Sequence, residues 1–142
     1  AIASSFMLSA DNAHAVHPHI PQKTDATNCV YMNEGIVVKS HAGQKYTSDA
    51  VSVAVFKDLC KKANVPVQFF ANRSDEAGGS TLGNIAMAQV SMNSVDIGLP
   101  QLAMHSTYET AGIKDTYYMI QVMTEFFNCH ISEVNSHSLK VD

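Results

Sequence analysis

Hydrophobic and polar residues follow two different periods along this chain, and each change of period predicts the edge of an element. Apolar residues recur at helical spacing from residue 51 to residue 63. Thr47 or Ser48 is the candidate N-cap of this helix, and Lys61-Lys62 supplies its cationic end. Short runs rich in β-branched and aromatic residues predict strands at residues 6–8, 35–39, 67–71 and 94–98.

Two more helices are predicted in the second half of the chain. The first runs from residue 82 to about residue 92 and takes Ser80 or Thr81 as its cap. The second covers about residues 115–128 and aligns on one face Tyr117, Ile120, Met123 and Phe127. Because strands alternate with helices, the pattern predicts an α/β sandwich around a largely parallel sheet.

Composition indicates one globular domain and disfavours two classes of protein. The 142 residues are 46% hydrophobic, which is ample for a sizeable core. Nucleic-acid binding is disfavoured because the formal net charge is -4 and no basic run is present. No apolar stretch approaches the roughly 18 residues that span a bilayer, and no signal-peptide pattern precedes the first strand, so we expect a cytoplasmic protein with no membrane partner.

The cysteines predict neither a disulfide framework nor a cysteine-based zinc site. The three of them, Cys29, Cys60 and Cys129, are odd in number, widely spaced and without a C-x-x-C pattern. The seven histidines favour imidazole chemistry instead.

One carboxylate and two imidazoles follow the first predicted strand closely. Asp11, His14 and His17 precede Pro18, which prevents a regular helix from continuing there. We therefore expect the three side chains at the mouth of the strand, where α/β enzymes hold their chemistry. Two interpretations stand: a metal or proton-transfer site, or a polar turn whose histidines cap backbone groups.

Three further features admit both a functional and a purely structural interpretation. His105 follows the fourth strand, which we expect to end at Leu99-Pro100, and a buried imidazole there needs a ligand or a hydrogen bond. The glycine-rich loop 78–83 either cradles an anion or makes a tight turn into a helix. Lys39 and Arg73 lie at the ends of predicted strands, where solvated surface charge is the default.

In their order along the chain, these segments resemble the M18 family of zinc aminopeptidases, the aspartyl aminopeptidases. The resemblance covers essentially the whole length, and the chain departs from the common pattern at His19, where the family has Asn. The matching motifs are SADNAHAVHP at 9–18, GIVVK at 35–39, QKY at 44–46, NRSD at 72–75, GGSTLG at 78–83, VDIG at 95–98 and QLAMHS at 101–106.

The resemblance implies a three-layer α/β/α sandwich of the dinuclear zinc aminopeptidase type. It also implies a peptidase in which two zinc ions activate a water that releases N-terminal Asp or Glu, with a glutamate as general base. Carried over by motif, Asp11 binds one zinc and His105 binds the other. His14 is the expected contact of the oxyanion or substrate. The implied substrate-binding residues are His17, Lys39, Tyr46, Gly78, Gly79, Ser80 and Thr81.

The family's remaining ligands and its general base do not match any position of this sequence. A Glu-Glu pair is absent, and so is the inserted dimerisation domain through which the family forms oligomers. We therefore expect residues 1–142 to be the C-terminal portion of a catalytic domain, inactive alone and part of a homo-oligomer in the complete protein. The alternative is a non-catalytic α/β fragment that assembles with partners through exposed sheet edges.

Overall fold

The computed structural model describes residues 2–135 and 138–142. Its elements include every predicted strand and helix, together with three short strands in the last third of the chain that were not predicted. A short 3-10 turn precedes the first strand, and a second one lies in the loop after it. The strands and α-helices, in chain order, are β1 Phe6–His14, β2 Ile36–Ser40, α1 Ala50–Lys62, β3 Val67–Ala71, α2 Leu82–Gln89, β4 Asn93–Leu102, β5 Thr110–Ala111, α3 Ile113–Asn128, β6 Ile131–Asn135 and β7 Ser138–Val141.

The main sheet is mixed, which corrects the expectation of a largely parallel one. Its strand order is β1-β4-β2-β3, and β5 pairs with β4 at its end. The pairs β1–β4 and β2–β3 are parallel, whereas β2 meets β4 in antiparallel register with Val38 opposite Ile97. Hydrophobic patterning does not predict this antiparallel pairing, because a strand buried on both faces has the same apolar pattern in either direction.

Helices cover both faces of the sheet, so the predicted three-layer α/β/α arrangement is confirmed. Side chains such as Ile36, Val38 and Ile97 point to one face and form the main core with α1 and α3. On the other face, the N–H of Gly83 in α2 donates to Ser9 Oγ of β1 at 3.0 Å. Tyr46 packs on that same side against a smaller cluster that includes Val37.

The structure corrects the predicted cap of α1 and confirms the cap position of α2. Asp49 caps α1, since its Oδ1 accepts the N–H of Val51 at 2.8 Å and that of Ser52 at 3.0 Å. Thr47 and Ser48 are not caps, because their side chains bond β4 instead. Thr81 occupies the cap position of α2 but makes no side-chain cap hydrogen bond, and this helix ends at Gln89 rather than near residue 92.

β1 and β4 are both longer than predicted because they pair with each other. Asp11 lies opposite Gly98, and the ladder continues until His14 lies opposite Gln101. Pro100 is therefore inside β4 and does not end it. Asp11 and His14 accordingly belong to the strand itself and not to a turn at its mouth.

α3 turns most of its predicted apolar face towards solvent. Tyr117, Ile120 and Phe127 are 60%, 59% and 80% exposed, whereas Val122 is fully buried. Of the predicted face only Met123 packs against the main core. Among the described residues, no helix has the length and apolarity that crossing a membrane requires.

Candidate active site

A cleft of about 440 Å³ brings together nearly all of the predicted site residues. Its walls are the second half of β1, the end of β3 and the loops after β3 and β4. Gly78 is the exception: it lies outside the lining, against His41 and Asn72. The predicted residues that line the cleft are Asp11, His14, His17, Lys39, Tyr46, Gly79, Ser80, Thr81 and His105.

Lys39 is buried in the wall of this cleft, so its interpretation as surface charge was wrong. The residue is 3% exposed, and its Nζ donates to the carbonyl oxygen of Asn12 at 3.0 Å. Nζ also lies 3.7 Å from Asp11 Oδ2. Burial lowers the pKa of Lys39, and the nearby carboxylates of Asp11 and Asp96 oppose that shift. The result is a desolvated cation, suited to bind a carboxylate.

Tyr46 is held rigidly beside this cation. Its ring lies 5.3 Å below Lys39 Nζ and packs edge-on against His41 and Phe70. The hydroxyl donates to Asn72 Oδ1 at 3.3 Å. Burial is the main cause that raises the pKa of Tyr46, which keeps the phenol a neutral donor.

The histidines of the β1 segment differ in their surroundings. The cleft walls partly cover the His14 ring, and this desolvation lowers its pKa, helped by the charges of His105 and Lys39. His14 is therefore neutral near pH 7. His17 stacks on His19 with ring centroids 5.6 Å apart, and its Nδ1 accepts the backbone N–H of His19 at 3.2 Å.

His105 is exposed and not buried, contrary to the expectation. Its backbone is left-handed with φ 68°, and Ala103 in the same loop has φ 55°. Such conformations are uncommon outside glycine and are held by their surroundings. Here Glu109 Oε1 accepts the N–H of His105 at 2.6 Å, which fixes the loop and presents the imidazole to the cleft.

Asp11 and His105 fit a zinc ion by the chemistry of their donors. A carboxylate and an imidazole are both ordinary zinc ligands, and the Asp11 side chain is 48% exposed in the cleft. A tetrahedral site needs more donors than these two. Within residues 2–135 and 138–142, no group of three or more candidate ligands converges. Asp11 and His105 alone therefore do not complete such a site.

The loop before α2 is bound to the sheet. Gly83 uses its N–H to bond Ser9, and a Cβ at this glycine would lie 2.9 Å from Ser9 Oγ. Thr81 is 5% exposed and lines the cleft. Its Oγ1 is the buried side-chain atom without a hydrogen-bond partner in the described part of the chain. A hydroxyl in this state is ready to bond a ligand.

Sequence reasoning assigned no role to three residues that organise the cleft, namely Asn72, Asp96 and Glu109. Asn72 and Glu109 hold Tyr46 and His105 as described above. Asp96 is fully buried and accepts hydrogen bonds from two segments of the site. Its signal in the sequence is an acidic residue inside the apolar run from Val95 to Ile97, where a carboxylate requires partners.

Comparison with known proteins gives consistent results. Residues 1–127 match the family model described as "Aminopeptidase I zinc metalloprotease (M18)". A probable M18 family aminopeptidase 2 of Clostridium novyi is 53% identical over 128 residues, which are 90% of this chain and 30% of the relative. The chain thus spans about 30% of the length of this curated relative.

Solved structures share the fold. A chain in the cryo-EM structure of the Ape4 and Nbr1 complex is 37% identical with a TM-score of 0.86, covering 89% of this chain and 24% of that one. The S. cerevisiae mApe1 dodecamer is 26% identical with a TM-score of 0.77, covering 89% of this chain and 27% of its own.

Proposed function

We propose that this chain, which belongs to the M18 family of zinc metalloproteases, is the C-terminal portion of a catalytic domain. The complete domain is proposed to release N-terminal Asp or Glu from peptides. The observation that carries this proposal is Lys39, a cation that is 3% exposed on the wall of a cleft shared with Asp11 and His105. A buried cation beside two zinc-type donors suits a peptide whose terminal side chain is acidic.

Selectivity follows from the environment of Lys39. Its Nζ lies 3.7 Å from Asp11 and over the Tyr46 ring, so a substrate carboxylate would gain a charge-assisted hydrogen bond from a desolvated cation. A neutral side chain would leave the buried cation without that bond. Tyr46 and Thr81 offer hydroxyls beside the same site.

Asp11 and His105 would each hold a metal ion in the complete site, which we propose contains two zinc ions. When bound, zinc polarises the scissile carbonyl and makes a nucleophile of water. His14, whose pKa is lowered mainly by desolvation, would donate a hydrogen bond to the carbonyl oxygen as negative charge develops. The general base is not among these 142 residues, so the isolated chain is expected to be inactive.

The complete protein is proposed to work as a homo-oligomer in the cytoplasm. A similar structure is the S. cerevisiae mApe1 dodecamer. In the chain itself, Tyr117, Ile120 and Phe127 form an exposed apolar face on α3, which suits burial against further protein. Cys29, Cys60 and Cys129 are free thiols, as in proteins of a reducing compartment.

A non-catalytic assembly role is the second candidate. It is favoured by β1, a nine-residue strand that pairs on one side with β4 and has no partner on its other side in the described part of the chain. Long open edges recruit further strands. Metal content separates this role from catalysis.

The proposed function is tested on the complete protein by zinc analysis and by release of aspartate from an Asp-peptide. We expect about two zinc ions per subunit and loss of activity in His105→Ala. An inactive, metal-free complete protein would instead support the assembly role.

Acid selectivity is tested separately with Lys39→Ala, using exposed Lys57 as the matched control position. Loss confined to acidic substrates in Lys39→Ala, with Lys57→Ala unchanged, is expected. A uniform loss on acidic and neutral substrates would refute the assigned pocket.

A further inference from the structure

Asp96 is a fully buried carboxylate on β4 whose hydrogen bonds converge from separate segments. Its Oδ1 accepts the Ser9 hydroxyl at 2.6 Å. Its Oδ2 accepts both the backbone N–H of Thr47 at 2.6 Å and the Thr47 hydroxyl at 2.9 Å. The Ser9 hydroxyl in turn accepts the N–H of Gly83 at 3.0 Å. We call these four residues, Ser9, Thr47, Gly83 and Asp96, the Asp96 hub.

Each residue bonded through the hub is a near neighbour of a residue in the cleft. Ser9 lies two positions before Asp11 on β1, and Thr47 directly follows Tyr46. Gly83 lies two positions after Thr81, at the start of α2. The hub therefore fixes three cleft segments relative to one another, although none of its four members lines the cleft.

Packing inside the hub is close enough to transmit small movements. A Cβ on Gly83 would lie 2.9 Å from Asp96 Oδ2, 2.9 Å from Ser9 Oγ and 3.0 Å from Thr47 Oγ1. Only glycine lets α2 approach the carboxylate this closely. Because the interior is dense, a shift of one partner displaces the others.

We propose that Asp96 is a positioning residue. By fixing Tyr46 and Thr81 relative to β1, the strand that carries Asp11, it sets the selectivity for substrates with an acidic N-terminal residue. This inference rests on the proposed function. The hub needs a carboxylate because Asp96 receives donors only: two hydroxyls and one N–H. An asparagine would place its own NH₂ against one of these donors and release Ser9 or Thr47.

Asp115 provides a matched control for a purely structural carboxylate. It is also fully buried, and it accepts the backbone N–H groups of Asn33 at 2.5 Å and Gly35 at 3.0 Å. None of these three residues lines the cleft. Asp115→Asn and Asp96→Asn thus remove comparable buried acceptors, but only the second change touches segments of the site.

The test compares Asp96→Asn and Asp115→Asn in the complete, zinc-loaded protein. KM and kcat are measured on matched peptides with N-terminal Asp or Ala, together with zinc content and thermal stability. For Asp96→Asn we expect KM for the Asp peptide to rise about tenfold, since a hydrogen bond to a charged group is lost, with a smaller Asp/Ala preference and unchanged zinc content. Asp115→Asn should lower stability and leave the preference intact.

Thr47→Ser and Thr47→Val provide a milder pair that does not depend on Asp96→Asn folding. The serine keeps the hydroxyl bonded to Asp96 and should keep wild-type KM, whereas the valine should raise it. An unchanged Asp/Ala preference in Asp96→Asn and Thr47→Val, or an equal loss in Asp115→Asn, would overturn the inference. If the wild type itself shows no preference for Asp, the proposed selectivity falls together with the inference.

Discussion

Replacing Gly83 by alanine should destabilise the fold, although alanine is the better helix former. Gly83 lies in the first turn of α2, where alanine is intrinsically favoured over glycine by about 1 kcal/mol. The added methyl would lie 2.9 Å from two oxygens, those of Asp96 and Ser9, and 3.0 Å from a third, that of Thr47. These short side chains are bonded to one another and have no flexible end that could move aside.

The expected change in the free energy of unfolding of Gly83→Ala is the balance of opposing effects. Overpacking of a dense interior costs about 1–3 kcal/mol, and loss of the Gly83 N–H to Ser9 hydrogen bond adds about 1 kcal/mol. Subtracting the gain in helix propensity leaves a net destabilisation of about 1–3 kcal/mol. Gly79→Ala is the matched control, because a Cβ there meets no atom within 4 Å. Its effect should stay within about 0.5 kcal/mol.

Urea denaturation of the 142-residue chain followed by far-ultraviolet circular dichroism measures this difference, since the chain has no tryptophan for fluorescence. With a urea dependence of about 2 kcal/mol per molar, the Gly83→Ala midpoint should fall by roughly 0.5–1.5 M. A Gly83→Ala midpoint equal to or above those of the wild type and Gly79→Ala would show that the hub is loosely packed, contrary to our reasoning.

Three other predictions concern the core, a thiol and a loop. Phe56→Ala should destabilise the chain by about 3–5 kcal/mol in the same urea assay, since Phe56 is fully buried in the main core; a change below about 1 kcal/mol would contradict its placement. Burial raises the pKa of Cys60 to about 12. A thiol reagent at pH 8 should therefore label exposed Cys29 quickly and Cys60 only after unfolding. Equal labelling rates of the two thiols in the native protein would refute this prediction. Hydrogen bonds from Thr27 and Asn28 lower the pKa of the Asp25 carboxyl to about 2. The stabilisation of the fold by these bonds is therefore complete above the ordinary pKa of an aspartate and is lost as pH falls through about 2. In NMR, the amide shifts of Thr27 and Asn28 should titrate with a midpoint near 2 and not near 4.

Local sequence sufficed where neighbouring residues decide the structure. β3 occupies residues 67–71 as predicted, because Pro66 precedes a run of apolar and aromatic residues that a polar loop then follows. The motif residues Asp11, Lys39 and His105 do line one cleft, as the resemblance implied. Sequence motifs can thus predict which residues share a site, even when these residues are far apart in the sequence.

Other features depend on tertiary partners that no local pattern contains. Thr47 is a good N-cap residue by type, but its hydroxyl is 2.9 Å from Asp96 Oδ2, and Asp49 becomes the cap. Lys39 looks like surface charge until β2 is placed beside β4 and its Nζ reaches Asn12. Tyr117 and Ile120 share a helical face with Met123, but both are exposed. α3 packs against the main core through Val122, which is fully buried, and Met123.

If Asp11 binds zinc as proposed, the open side of β1 links strand pairing to zinc affinity. Asp11 lies in the middle of this strand, whose only ladder among the described residues is with β4. A strand that pairs with the open side restrains the backbone that carries Asp11, so less entropy is lost when the carboxylate binds zinc. Thermodynamic reciprocity then requires that zinc strengthen the pairing by the same factor. In that case, removal of zinc and dissociation of the added strand should each promote the other.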